Sequence, residues 1–98
     1  MPLSIEHLKQ AEADELEIWL RIASDNVTAA DRLLDRFDEA VDMLARHPEA
    51  GRSHEELAAG LRGYPVSSYM IFYRHDAKAL RVVRILSTYR ELGPEFFD

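Results

Sequence analysis

Apolar positions along this chain follow two different periods. From about Lys9 to Ser24 they recur every three or four residues, through Ala13, Leu16, Trp19, Leu20 and Ala23, which predicts an amphipathic helix. Ser24-Asp25-Asn26 interrupts the pattern. Thr28, with Asp31 three residues later, predicts the cap of a second helix. That helix carries the strongest signal in the sequence. Ala30, Leu33, Leu34, Phe37, Ala40, Val41, Leu44 and Ala45 make one apolar stripe, opposed by Asp31, Asp35, Asp38, Glu39 and Asp42. Pro48 ends it at His47, because a residue before proline is pushed out of the helical region. Two helices joined by so short a loop predict an antiparallel hairpin.

Beyond Leu61 the period drops to two. Tyr69 to Arg74 and Leu80 to Leu86 flank the polar break His75-Asp76-Ala77-Lys78, which predicts a β-hairpin. Leu61 to Val66 predicts a further strand, short, bulged or at an edge because it contains Pro65. Leu3 to Glu6 is a weak candidate for a first strand. Ser53 and Glu56 suggest the cap of a short helix from Glu55 to Ala59, closed by Gly60. The expected fold is therefore α+β: residues 1–98 form one domain, an N-terminal helical hairpin packed on a small twisted antiparallel sheet of three to four strands. Leu16, Trp19, Leu20, Leu33, Phe37, Val41, Leu44, Phe72 and Val82 or Val83 are the expected core.

Composition narrows the function classes. With 47% apolar residues the chain is too hydrophobic for disorder, and at 98 residues it fits one small domain. The absence of cysteine excludes disulfides and thiolate metal sites and fits a reducing compartment, so a cytoplasmic location is expected. The first residues show no secretory pattern, and no run is apolar enough to span a membrane. The net charge of −6 is unevenly spread: residues 1–59 carry 14 acidic and 6 basic groups, residues 60–98 carry 4 and 6. An acidic helical half makes direct nucleic-acid binding an unfavourable expectation. The four histidines, His7, His47, His54 and His75, have no metal-ligand spacing, and no cofactor or hydrolase motif is present, so no metal or cofactor is expected. The remaining chemistry lies in Arg74, Arg84 and Arg90 near Tyr69, Tyr73 and Tyr89. Arginine with tyrosine can hold phosphate, stack on a base or anchor a protein interface. Arg74 and Arg84 have a structural alternative, pairing with a helix carboxylate where helices cross the sheet.

Pro48-Glu49-Ala50-Gly51-Arg52, Glu56-Leu57, Gly60-Leu61-Arg62, Tyr69-Met70-Ile71-Phe72-Tyr73-Arg74 and Arg84-Ile85-Leu86 follow one another in a characteristic order. With Asp14, Ile18-Trp19, Ile22-Ala23 and Ala29-Ala30-Asp31-Arg32-Leu33 they resemble the ParE branch of the RelE/ParE toxin superfamily over nearly the whole chain. The resemblance implies the toxin half of a type II toxin–antitoxin module, with a helical hairpin on a small sheet. Toxins resembling ParE inhibit growth by poisoning DNA gyrase, those on the RelE branch cut messenger RNA in the ribosomal A site, and a cognate antitoxin from a neighbouring gene wraps and neutralises both. Met70 stands where RelE-like nucleases carry arginine, and the tail after Glu91 lacks their terminal tyrosine. Methionine can neither move a proton nor offset phosphate charge. The resemblance therefore implies a gyrase inhibitor rather than an enzyme. The alternatives are an mRNA interferase using Arg74, Arg90 and Tyr89, or an inactive antitoxin-binding regulator. Ser87 departs from the histidine common at that place in the ParE pattern. Arg74, Arg84, Tyr89 and Arg90 are the expected target-binding residues, and Tyr64, Tyr69, Tyr73, Phe96 and Phe97 the expected antitoxin-binding ones.

Overall fold

The computed structural model describes residues 1–97. Strand β1 (Ser4–His7) leads into α1 (Lys9–Ala23) and α2 (Val27–Arg46), followed by β2 (Arg52–Ser53), β3 (Arg62–Val66), β4 (Tyr69–His75), β5 (Ala79–Ser87) and a 3₁₀ helix at Pro94–Phe97. The two helices form the expected hairpin. Asn26 rather than Thr28 caps α2, its Oδ1 accepting the Ala29 N–H at 3.0 Å, so the helix starts slightly earlier. Asparagine satisfies a first-turn donor as well as threonine does, and here the loop delivers it first.

The sheet order is β1-β5-β4-β3-β2, with β1 parallel to β5 and every other pairing antiparallel. It thus has five strands rather than three to four, and it is mixed. The added strands are the shortest, four residues in β1 and two in β2, and neither is long enough to show a period. The expected helix at Glu55 to Ala59 is a turn instead. Glu55 Oε1 accepts the Gly60 N–H at 3.0 Å, and Gly60 takes φ +71°, which closes the turn before a helix can propagate.

Both faces of the sheet are covered. Facing the helices, Ile71, Tyr73, Leu80, Val82 and Ile85 meet Ile18, Leu33, Phe37, Val41 and Leu44. On the opposite face Leu61, Phe72, Val83, Leu86 and Phe97 form a second cluster, roofed by the turn after β2 and by the C-terminal helix. This accounts for the near-continuous apolar runs in β4 and β5. A register shift at Phe72/Tyr73 pairs Phe72 with Arg84 and Tyr73 with Val82, leaving Val83 as an extra residue just before Arg84.

Helix α1 departs from the expected core. Leu16 and Leu20 are 59% and 55% exposed, while Ala11, Asp14 and Ile18 are buried. The helix is turned so that a carboxylate faces inward, and Leu20 lies about 200° around the helix from Ile18. Trp19 is half-buried at the hairpin seam, its Nε1 donating to Asp31 Oδ1 at 2.9 Å.

The β4–β5 turn is tied by Asp76. Its Oδ1 accepts the Lys78 and Ala79 N–H groups at 2.8 and 2.9 Å, and its Oδ2 pairs with Arg81 at 2.8 Å. The hydrogen bond from Arg81, then those from the backbone, hold the Asp76 carboxyl well below the usual carboxylate range.

Phe37→Ala should cost about 3–5 kcal/mol through lost burial and a cavity, whereas Leu16→Ala should stay within about 0.5 kcal/mol. Urea unfolding of both variants checks this, and comparable losses would contradict the rotation of α1. Because the folded-state pKa of Asp76 is depressed, its stabilisation is complete above the ordinary carboxylate range and is lost as pH falls below about 4. Wild-type stability should therefore fall toward that of Asp76→Asn as the pH is lowered from about 5 to 2, with the larger part of the loss below about pH 4. Parallel pH curves for the two proteins would refute the role of this turn.

Candidate functional site

Arg84 sits in β5 beyond the point where β1 stops, since β1 pairs only as far as Val82. The open edge there is closed from α1. Asp14 Oδ2 accepts from Arg84 Nε at 2.8 Å and Oδ1 from Arg84 Nη2 at 2.9 Å, a two-pronged pair. Asp14 Oδ2 also takes the Ile85 N–H at 3.0 Å, and Arg84 Nη1 donates to the Phe96 carbonyl at 3.1 Å. One arginine thus ties α1, β5 and the C-terminal helix. The Asp14 carboxylate, above all, holds the guanidinium pKa above its ordinary value, so Arg84 stays charged throughout the accessible range.

Around this clamp the expected target-binding residues separate. Arg90 lies with its Cζ 5.3 Å from the centre of the Phe96 ring, and Arg84 with its own 5.9 Å away. Arg84 and Arg90 line a hollow of about 70 Å³ with Tyr69, Ser87, Glu17 and Arg21, the last two paired at 3.0 Å. Arg74 lines another cleft, of about 350 Å³, with Lys9, Gln10, Leu8, Phe96 and Phe97. Its Nε donates to the Ala59 carbonyl at 2.9 Å, so the carboxylate pairing considered for Arg74 is realised only by Arg84. Tyr89 projects freely and is 89% exposed. Arg74 and Arg90 remain accessible on either side of Phe96 and Tyr89 projects from the segment after β5, while Arg84 is spent on structure.

The five aromatics expected to hold an antitoxin do not form one surface. Tyr73 is fully buried, its hydroxyl donating to the Pro48 carbonyl at 2.7 Å and accepting the Gly51 N–H at 2.9 Å. Burial pushes its pKa up, against the opposing effects of Gly51 and Arg62. A Cβ on Gly51 would overlap the Tyr73 ring, which explains the glycine. Tyr69 meets Phe37 edge-on at 5.8 Å, and Tyr64 lines a groove of about 280 Å³ beside α2 with Ala40 and Met43. Phe97 packs on Phe72 at 4.8 Å on the other face of the sheet, with Phe96 beside it. Tyr69 and Tyr73 share the helix-facing side because β4 alternates, Tyr64 joins them from β3 opposite Ile71, and the phenylalanines arrive on the opposite side from the tail.

The hollow beside Arg84 contains Ser87 and Tyr69 but no histidine. His7 approaches Glu15 at 4.0 Å and His54 approaches Glu56 at 3.1 Å, both outside this lining. Met70 packs into the apolar back cluster. The arrangement can grip a protein or an anion through arginine and aromatic contacts, but it does not gather a cation and a proton-transfer imidazole at one point. Sequence reasoning missed the inward placement of Asp14 and the contributions of Lys9, Gln10 and Arg21. Ala11, Asp14, Ile18 and Ile22 form a stripe of their own, and that signal was there to be read beside the leucine stripe.

The family model described as "ParE toxin of type II toxin-antitoxin system, parDE" matches residues 5–92. The protein named Toxin ParE1 from Caulobacter vibrioides is 30% identical over 81 residues, covering 80% of this chain and 81% of that protein. Among solved structures, a chain of the chromosomal ParDE system from P. aeruginosa matches with a TM-score of 0.73 at 18% identity, over 87% of this chain and 95% of that one. A chain of the RelBE2 toxin–antitoxin complex from Mycobacterium tuberculosis matches with a TM-score of 0.61 at 20% identity, over 89% and 99% respectively. At these identities the two structures share the fold.

Asp14→Ala should destabilise the protein by about 3–5 kcal/mol, because it strands both the Arg84 guanidinium and the Ile85 N–H. Arg84→Lys should recover charge but not the two-pronged geometry, and lie between the wild type and Asp14→Ala. Equilibrium unfolding measures both, and a loss under 1 kcal/mol for Asp14→Ala would remove the clamp from its central place.

Proposed function

This chain belongs to the family of ParE toxins of type II toxin–antitoxin systems, and we propose that it inhibits growth by poisoning DNA gyrase and is neutralised by a cognate antitoxin. The observation that carries the choice of target is the commitment of Arg84 to Asp14 and the Phe96 carbonyl. The most central arginine of the fold has its donors directed at protein, and the hollow beside it is lined by Ser87 and Tyr69 but by no imidazole. Cutting RNA without a metal needs groups that move protons and neutralise phosphate together. What stays accessible is a contact surface: Arg90 against Phe96, Arg74 beside Lys9, and the projecting Tyr89. Such arginine and tyrosine side chains suit a protein interface. The antitoxin is supported by the relatives themselves, whose names are those of a ParDE system and a RelBE2 complex. Among the described residues no helix is long and apolar enough to cross a membrane. Gyrase acts on chromosomal DNA, so the site of action is the cytoplasm.

Inducible expression without antitoxin should produce filamentation, an SOS response and trapped gyrase–DNA cleavage complexes while total messenger RNA stays initially intact. Ribosome-dependent cleavage of messages without trapped gyrase would assign the protein to RNA instead. Soluble, folded protein with no growth defect would make it an inactive regulator. Arg90→Glu, at an exposed position, should weaken gyrase inhibition at least tenfold, about 1.4 kcal/mol of contact energy, without shifting the unfolding midpoint.

A further inference from the structure

Ser67 has φ +57°, and among the described residues it is the one residue other than glycine in the left-handed region. It opens the two-residue turn between β3 and β4, where Val66 pairs with Tyr69. Glycine or asparagine suits a positive φ in such a turn, because the Cβ of other residues crowds the following carbonyl. Ser67 therefore holds the turn at a cost that glycine would remove. Nothing inside the chain offsets that cost through its hydroxyl. Ser4, Ser24, Ser87 and Thr88 engage their hydroxyls within the fold, whereas among the described residues Ser67 does not, and it is exposed. Backbone strain held at such a position points to a contact outside the chain.

Tyr69 pairs with Ser87, so this turn and the segment after β5 leave the sheet side by side. They are stapled together there. The Ser68 carbonyl accepts the Thr88 N–H at 2.9 Å and the Thr88 hydroxyl at 3.1 Å. Ser87 anchors the next two residues, its Oγ accepting the Tyr89 N–H at 3.2 Å and its carbonyl the Arg90 N–H at 3.3 Å. Ser67, Thr88, Tyr89 and Arg90 thus stand exposed on one ledge whose backbone is fixed. Tyr89, 89% exposed, presents a large rigid face that loses little conformational freedom on contact.

Charge selects the kind of partner. The hollow beside the ledge holds Arg21, Arg84 and Arg90, but Arg21 is paired with Glu17 and Arg84 with Asp14. Arg90 is left against the Phe96 ring. A nucleic-acid backbone repeats its charge at every nucleotide and is held by several cations in a row. This ledge offers one, with Glu17 lining the same hollow, so a protein suits it better. We propose that Ser67, Tyr89 and Arg90 dock on a loop of gyrase that gives a backbone carbonyl to Ser67, an apolar side chain to Tyr89 and a carboxylate to Arg90. The proposal rests on the gyrase reading and specifies its contact. Ser67 is a specificity-determining contact in it, and Thr88 is a positioning residue that holds the turn against Tyr89.

The test uses the full chain with purified gyrase and plasmid DNA, reading supercoiling inhibition and trapped cleavage complexes, with the unfolding midpoint measured alongside. Ser67→Gly should raise the midpoint and yet weaken inhibition about tenfold, opposite movements that a purely structural turn would not produce. Tyr89→Ala should weaken inhibition about tenfold at an unchanged midpoint. Thr88→Val, which keeps the shape and loses one bond to Ser68, should weaken it less than Tyr89→Ala. Affinity for the protein encoded by the adjacent gene should be the same in all three variants. Full inhibition by Ser67→Gly, or a midpoint that falls, would overturn the role of Ser67. Wild-type protein that traps gyrase no better than Ser67→Gly and Tyr89→Ala do would overturn this contact and leave the gyrase reading standing. Wild-type protein that leaves gyrase untouched would overturn both. Affinity for the adjacent-gene protein lost in step with inhibition would assign the ledge to the antitoxin. Duplex DNA bound without gyrase by the wild type, and released by Tyr89→Ala, would assign it to nucleic acid.

Discussion

Asp14 places a carboxylate on the inward face of a helix, where an unpaired charge would be expelled. It stays because three donors converge on it, two from Arg84 and one from Ile85. A buried pair of this kind contributes little net stability once desolvation is counted, but it tolerates few geometries. Its consequence is orientation. With Asp14 fixed on β5, the azimuth of α1 is fixed, Ile18 points into the core, and Leu16 and Leu20 must point out. Arg84 extends the same constraint to the chain end by holding the Phe96 carbonyl.

The sheet is organised around that constraint. It is a short five-stranded sheet with apolar residues on both faces, so both need cover. The hairpin covers one, and a 3₁₀ turn carrying Phe97 covers the other. Tyr73 performs a comparable service at the far side, pinning the loop after α2 through Pro48 and Gly51. Arg62 adds a bond to the Gly51 carbonyl at 2.7 Å. Side chains that looked like surface chemistry in the sequence are thereby consumed in joining elements. A small domain buries a limited share of its surface, and polar staples across its layers help to compensate.

For function, this sorting leaves the exposed chemistry divided between two regions. Arg90 and Tyr89 follow the end of β5, Arg74 lies toward the other end of the β4–β5 hairpin with Phe96 lining its cleft, and the leucine strip lies on the outside of α1. The first is cationic and aromatic, the second apolar and bordered by acid. Contacts of opposite character can be made by different partners.

The α+β class, the hairpin of helices, the core face of α2 and the pairing of β4 with β5 were legible in the sequence, because periodicity is a local property that survives folding. Phe37, Val41 and Leu44 are buried where the stripe of α2 placed them. The motif order through Tyr69 to Arg74 and Arg84 to Leu86 was enough to identify the family. The tertiary structure alone decided the rest. Two stripes compete on α1, and which one turns inward depends on a carboxylate meeting an arginine seventy residues away in sequence. The parallel partner of β1, the opposite faces of Tyr73 and Phe97, and the capture of Arg84 are likewise contacts between distant segments. A local pattern records what each segment prefers, but the choice among equal preferences is made by the groups that folding brings together.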